Sequence, residues 1–136
     1  MKKLSPILFV LFIASQFSCM AQQAGKESLE GTWKGTSLCQ VKPSGCHDEN
    51  VVYHISKSAG EKNYRIQANK IVNGEEQDMG PLDCVYDDQK RTLTTTIKDS
   101  QGREAVWLFI LKGKKLTGSL TINGNTLFRL IEVTKQ

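Results

Sequence analysis

No segment of this sequence repeats apolar residues at the helical interval, so helices are not expected to build its core. Its cysteines and histidines show neither Cys-x-x-Cys nor His-x-x-x-His spacing, which removes the common zinc patterns. No nucleophile elbow or other local catalytic signature is present, so no catalytic residue and no enzymatic activity are expected. Lysines and arginines are scattered singly or in pairs, without interleaved aromatics. That distribution excludes the dense basic face needed for nucleic acid. The apolar run Ile7–Ala14 is far shorter than the roughly 20 residues that cross a bilayer as a helix.

That run, behind Lys2 and Lys3, has the length and flanks of an export signal. Cleavage after Ala21 is the favoured processing point, making residues 1–21 a signal peptide and predicting export to the periplasm or the medium. Ser18-Cys19 offers the alternative of a lipoprotein, anchored to the outer membrane through Cys19; Gln16, three before that cysteine, departs from the usual aliphatic residue. Membrane association is expected only with that lipid. Residues 22–28 are polar and aperiodic and read as a flexible lead-in. Residues 29–136 suffice for one domain and one core. Of 18 basic residues, two leave with the leader, so 16 face 14 acidic ones and the mature charge is about +2.

Three cysteines then remain, in a compartment where disulfides persist. Cys39 and Cys46 bracket a Pro43-Ser44-Gly45 turn between two strand-like segments, which predicts that they pair. Cys84 is then a buried small apolar residue; its pairing with either of the others is the alternative.

Eight strand-like segments follow the lead-in: 29–39, 51–57, 64–72, 82–86, 91–98, 104–112, 115–122 and 126–134. Asn73-Gly74 and Asn123-Gly124 mark tight hairpins between the third and fourth and between the last two. Short sequential connections imply an antiparallel meander, and closing it removes two exposed edges. The expected fold is therefore all-β, an eight-stranded up-and-down barrel with room for side chains or one small ligand. Alternation places Trp33, Gly35 and Ser37 inside on the first strand, Val51, Tyr53 and Ile55 on the second, and Tyr64, Ile66 and Ala68 on the third. Leu82, Cys84 and Tyr86 continue that face, then Leu93, Thr95 and Ile97, while Thr92, Thr94 and Thr96 face water. The sixth strand puts Ala105, Trp107, Phe109 and Leu111 inside, but Val106, Leu108 and Ile110 are as apolar. Its outer face should be covered by the N-terminal segment, an unrecognised helix or another chain. Leu116, Gly118, Leu120 and Ile122 on the seventh strand and Leu127, Arg129, Ile131 and Val133 on the eighth complete the interior.

Gly31-Thr32-Trp33 opening such a meander, with Arg129 on its last strand, resembles the calycin group, and the lipocalins above all. The resemblance implies that Gly31 and Trp33 form a plug at one barrel end and that Arg129 packs over the Trp33 indole, a cation–π contact of about 0.5–2 kcal/mol. Two departures stand out. No C-terminal helix is expected, and Arg129-Leu130-Ile131 replaces the Arg-x-Tyr with which fatty-acid-binding relatives hold a carboxylate. With Trp33 as plug, the binding end becomes the opposite mouth, toward the Cys39–Cys46 loop.

Cys46-His47-Asp48-Glu49 is the one knot of metal-capable side chains, and with its thiol oxidised it reads as a polar loop rim, not a metal site. His54 reads as a surface or cross-strand partner on the second strand. Glu75-Glu76 and Asp87-Asp88 fall in turns and read as solubilising charge. The interior aromatics Trp33, Tyr53, Tyr64, Tyr86 and Trp107 are the candidate ligand contacts, weighed against a filled core. No cofactor is expected. The expected function is a non-enzymatic binding protein for a small apolar or amphipathic ligand. The alternative is a packed-core protein that engages or inhibits an envelope protein through its sixth strand or its Cys39–Cys46 loop.

Overall fold

A computed structural model of the chain describes residues 27–136. Cys19 and both processing points lie outside the described residues. Eight antiparallel strands close in sequence order into one barrel: β1 Gly31–Cys39, β2 Glu49–Lys57, β3 Asn63–Val72, β4 Glu75–Asp87, β5 Thr92–Lys98, β6 Glu104–Lys112, β7 Lys115–Ile122 and β8 Thr126–Lys135. The fold is an all-β up-and-down barrel, without a helix among the described residues.

The tightest turns follow from residues that tolerate left-handed backbone. Asn73 and Gly74 have φ of 51° and 82°, and Asn123 and Gly124 of 51° and 75°. Two consecutive positive φ values suit the right-handed twist of a hairpin. Closure requires a close approach at Gly35, where β1 meets β8. A Cβ placed there would lie 1.9 Å from the carbonyl oxygen of Glu132 and 2.8 Å from Cα of Val133.

Alternation fills the interior with Trp33, Tyr53, Ile66, Leu93, Phe109 and Leu116 fully buried. Leu127, expected inside, is instead 41% exposed, because the β7–β8 pairing shifts register between Leu120 and Thr121 and reverses parity there. Phe109 sits at the centre of this packing. Its ring meets Tyr53 edge-on at 6.1 Å and lies parallel to Trp107 at 6.0 Å. It also occupies the space over Gly118, where a Cβ would come within 2.4 Å of the ring. The small residues Gly35 and Gly118 therefore make room for backbone and for Phe109, not for a ligand.

The two ends of the barrel differ. Chain entry at residues 27–30, the β2–β3, β4–β5 and β6–β7 turns, and the C-terminus gather at one end. The β1–β2, β3–β4, β5–β6 and β7–β8 connections form the other. β4 begins at Glu75, seven residues before the expected Leu82. Its first half is polar and exposed, so it carries no alternating signal; it is held by pairing with β3 across the Asn73-Gly74 turn. β4 pairs with β5 only at Val85–Asp87, against Thr92–Thr94, so the wall between these strands is short. Pairing between β3 and β4 also shifts register at Ala68/Asn69, opposite Gly80.

On the outer face, the register aligns Leu38, Leu130, Ser119 and Leu108 across β1, β8, β7 and β6. All three leucines are more than a third exposed, as is Ile110. Of the three covers expected for the sixth strand, the helix is not formed among the described residues.

Candidate functional site

Trp33 closes the chain-entry end. It is fully buried, and its Nε1–H donates to the carbonyl oxygen of Leu29 at 2.9 Å. Leu29 is itself buried, so the segment preceding β1 folds across the barrel bottom. The cation beside the indole is Lys135, with Nζ 5.8 Å from the ring. Lys135 Nζ also donates to the carbonyl oxygen of Ser28, tying the last strand to the entering chain. Gly31, at φ +130°, accommodates the same lysine, since a Cβ there would approach Lys135 Cε within 3.2 Å.

The arginine–indole contact implied by the lipocalin resemblance is therefore corrected. Register pairs Trp33 with Lys135, whereas Arg129 pairs with Cys39. Six residues of strand, roughly 20 Å, separate the two levels. Alternation assigned Arg129 the correct face of β8 but carried no information on height along it.

Arg129 instead belongs to the opposite mouth. Its Nη1 donates to Ser37 Oγ at 3.2 Å and to the carbonyl oxygen of His47 at 3.1 Å, with a longer contact to the carbonyl oxygen of Ser37 at 3.4 Å. The same nitrogen lies 3.3 Å from Glu49 Oε2, and both side chains are mostly buried, at 14% and 20% exposure. The arginine thus joins β1, β2 and the stapled loop. That loop is closed by the Cys39–Cys46 disulfide, with Cα atoms 5.9 Å apart. The Cys39 amide donates to Asp48 Oδ1 at 2.8 Å, and Ser44 Oγ donates to the carbonyl oxygen of Val41 at 2.7 Å. Cys84 is free and buried.

Between Arg129 and the aromatic centre lies a cavity of about 190 Å³. Ser37, Glu49, Tyr53 and Arg129 supply its polar lining, and Ala68, Met79, Leu82, Trp107 and Leu120 its apolar walls. Met79 and Leu82 come from β4 where β5 does not pair with it, so the short wall borders the cavity. Burial pushes the Tyr53 phenol above its ordinary pKa; Arg129 opposes the rise and Glu49 adds to it. The phenol is therefore a neutral hydroxyl that can donate or accept. A second apolar hollow of about 300 Å³ opens at the same end, against Ile97, Ala105, Ile122 and Phe128. Its walls continue the inward rows of β6 and β7 past Trp107 and Leu120.

The five aromatics expected to contact a ligand divide between the ends. Tyr53 and Trp107 line the mouth cavity. Tyr64 and Tyr86 pack edge-on at 5.9 Å at the chain-entry end, with Lys57 Nζ 4.3 Å from the centre of the Tyr64 ring. They border a separate polar hollow of about 200 Å³. Trp33 lines neither. Glu49 and Met79 join the site without having been expected there: Glu49 read as loop rim, and Met79 lies in the half of β4 that lacks alternation. The signal for Glu49 was its parity with Val51 and Tyr53.

A scan against protein-family models and a search of curated proteins found no match for this chain. The site must be read from its own geometry.

His54 does not reach the cavity. It stands half-exposed on the outer wall, its Nε2 2.7 Å from Glu76 Oε2 and its Nδ1 3.2 Å from Thr32 Oγ1. Hydrogen bonds from His54 and then Asn69 hold the Glu76 carboxyl below its usual range. Among the described residues no three His, Cys, Asp or Glu side chains are grouped to hold a metal ion.

Proposed function

We propose that this chain is an exported, non-enzymatic binding protein, a short lipocalin-like domain that holds one small apolar or amphipathic ligand in the mouth beside the stapled loop. The observation that carries the reading is the mouth cavity itself, with apolar walls and a few convergent polar groups at the end opposite the Trp33 plug. Such a combination is the usual build of a small-molecule site. Size narrows the ligand. An apolar cavity of about 150 Å³ accommodates benzene, so about 190 Å³ suits a single ring or a short chain and is too small for haem or a long acyl chain. The Cys39–Cys46 disulfide is compatible with an oxidising compartment, which supports export.

Tryptophan fluorescence tests the proposal. Titration with single-ring and short-chain probes such as toluene, phenol and hexanol should give a saturable change, and Trp107→Phe should remove it while the buried Trp33 signal remains. An unchanged spectrum across the panel would overturn the reading.

A further inference from the structure

The polar lining of the mouth defines the charge its ligand should carry. Arg129 and Glu49 are the two charged groups among the described cavity-lining residues, and they face each other at 3.3 Å. Arg129 makes its hydrogen bonds and its ion pair through Nη1, with the guanidinium carbon 5.8 Å from the centre of the Phe128 ring. Among the described residues Nε and Nη2 have no hydrogen-bond partner, nor has the Tyr53 hydroxyl, and both side chains line the cavity. A guanidinium has five N–H donors, so the arginine offers unused donors while its charge is already matched. Other charges lie at the edge. Lys70 Nζ stands 4.0 Å from Glu49 Oε1, with its side chain a third exposed to screening water. The Asp48 carboxylate is turned to the Cys39 amide.

Resting on the binding reading above, we infer that the mouth selects an uncharged single-ring or short-chain ligand bearing a hydrogen-bond acceptor, such as a carboxamide or ketone, over the matching carboxylate. The acceptor takes the free N–H groups of Arg129 and the Tyr53 hydroxyl, and the apolar body lies against Trp107, Leu82 and Leu120. A carboxylate in that position would stand against Glu49 in a poorly solvated site, where like charges repel more strongly than in water. A ligand ammonium would meet Arg129. Glu49 is thus a specificity-determining residue: it removes the anion preference that an unpaired arginine would confer.

Calorimetric titration with phenylacetamide, phenylacetate and phenethylamine compares three charges on one body. In the unmodified protein the amide should bind at least about tenfold more tightly than either ion, a difference of about 1.4 kcal/mol. Glu49→Gln, which keeps the shape and frees the Arg129 charge, should strengthen phenylacetate binding until it equals or exceeds that of the amide. Phenylacetate binding the unmodified protein as well as or better than the amide overturns the charge selection and leaves the binding reading standing. An ion preference unchanged in a folded Glu49→Gln protein also overturns it. Failure of all three probes to bind overturns both. The comparison within the unmodified protein decides the matter even if the variant does not fold.

Discussion

Gly35 shows how one residue can govern closure. A side chain there would collide with backbone of β8, which has no rotamer with which to yield. Gly35→Ala should therefore cost at least about 3 kcal/mol in urea denaturation, beyond ordinary overpacking. Gly45→Ala, in open space within the β1–β2 loop, should change stability by less than about 0.5 kcal/mol. Equal effects would refute the closure argument. Cys84 is governed by solvent instead of space. Burial first, and then the Asp83 charge, push its thiol up to about 12 from an ordinary 9.0. The folded protein keeps the thiol neutral, so this group leaves stability unchanged below about pH 9 and lowers it from there toward 12, as the unfolded thiol ionises. Iodoacetamide at pH 8 should leave Cys84 unmodified in the native protein and alkylate it in denaturant, as read by peptide mass mapping. Rapid native labelling would contradict its burial.

At the scale of elements, the β1–β2 connection anchors the mouth. Its disulfide closes a short loop, and the loop returns a hydrogen bond from Arg129 to the His47 carbonyl. Replacing Cys39 and Cys46 together by serine should cost about 2–3 kcal/mol in the chain-entropy picture, measured by urea denaturation. Binding of phenylacetamide should also weaken, because the arginine loses a fixed partner. An unchanged midpoint would mean that the loop is held by its hydrogen bonds alone. The same connection shows what was legible in sequence. Two cysteines around a turn sufficed to pair them, because the contact is local. β4 was only half legible: its alternation begins at Leu82, while Glu75–Pro81 is held by β3 and not by burial of its own side chains.

For the whole molecule, period-two alternation and two Asn-Gly turns were enough to specify eight strands, their order and, except at the β8 register shift that turns Leu127 outward, their inner faces. Each of those properties depends on neighbours a few residues apart. The sequence thus determined the barrel and the disulfide through local spacing and the exclusion of apolar side chains from water, while the Trp33 plug was implied by the lipocalin resemblance. Only tertiary structure decided which cation stands beside the plug, since the β1–β8 register sets Lys135 level with Trp33 and Arg129 level with Cys39. It likewise decided that Tyr53 and Trp107 share a cavity while Tyr64 and Tyr86 lie at the other end, and that Glu49 faces Arg129. Parity along a strand fixes the face of a residue, but its height against a distant strand is set when the ring closes.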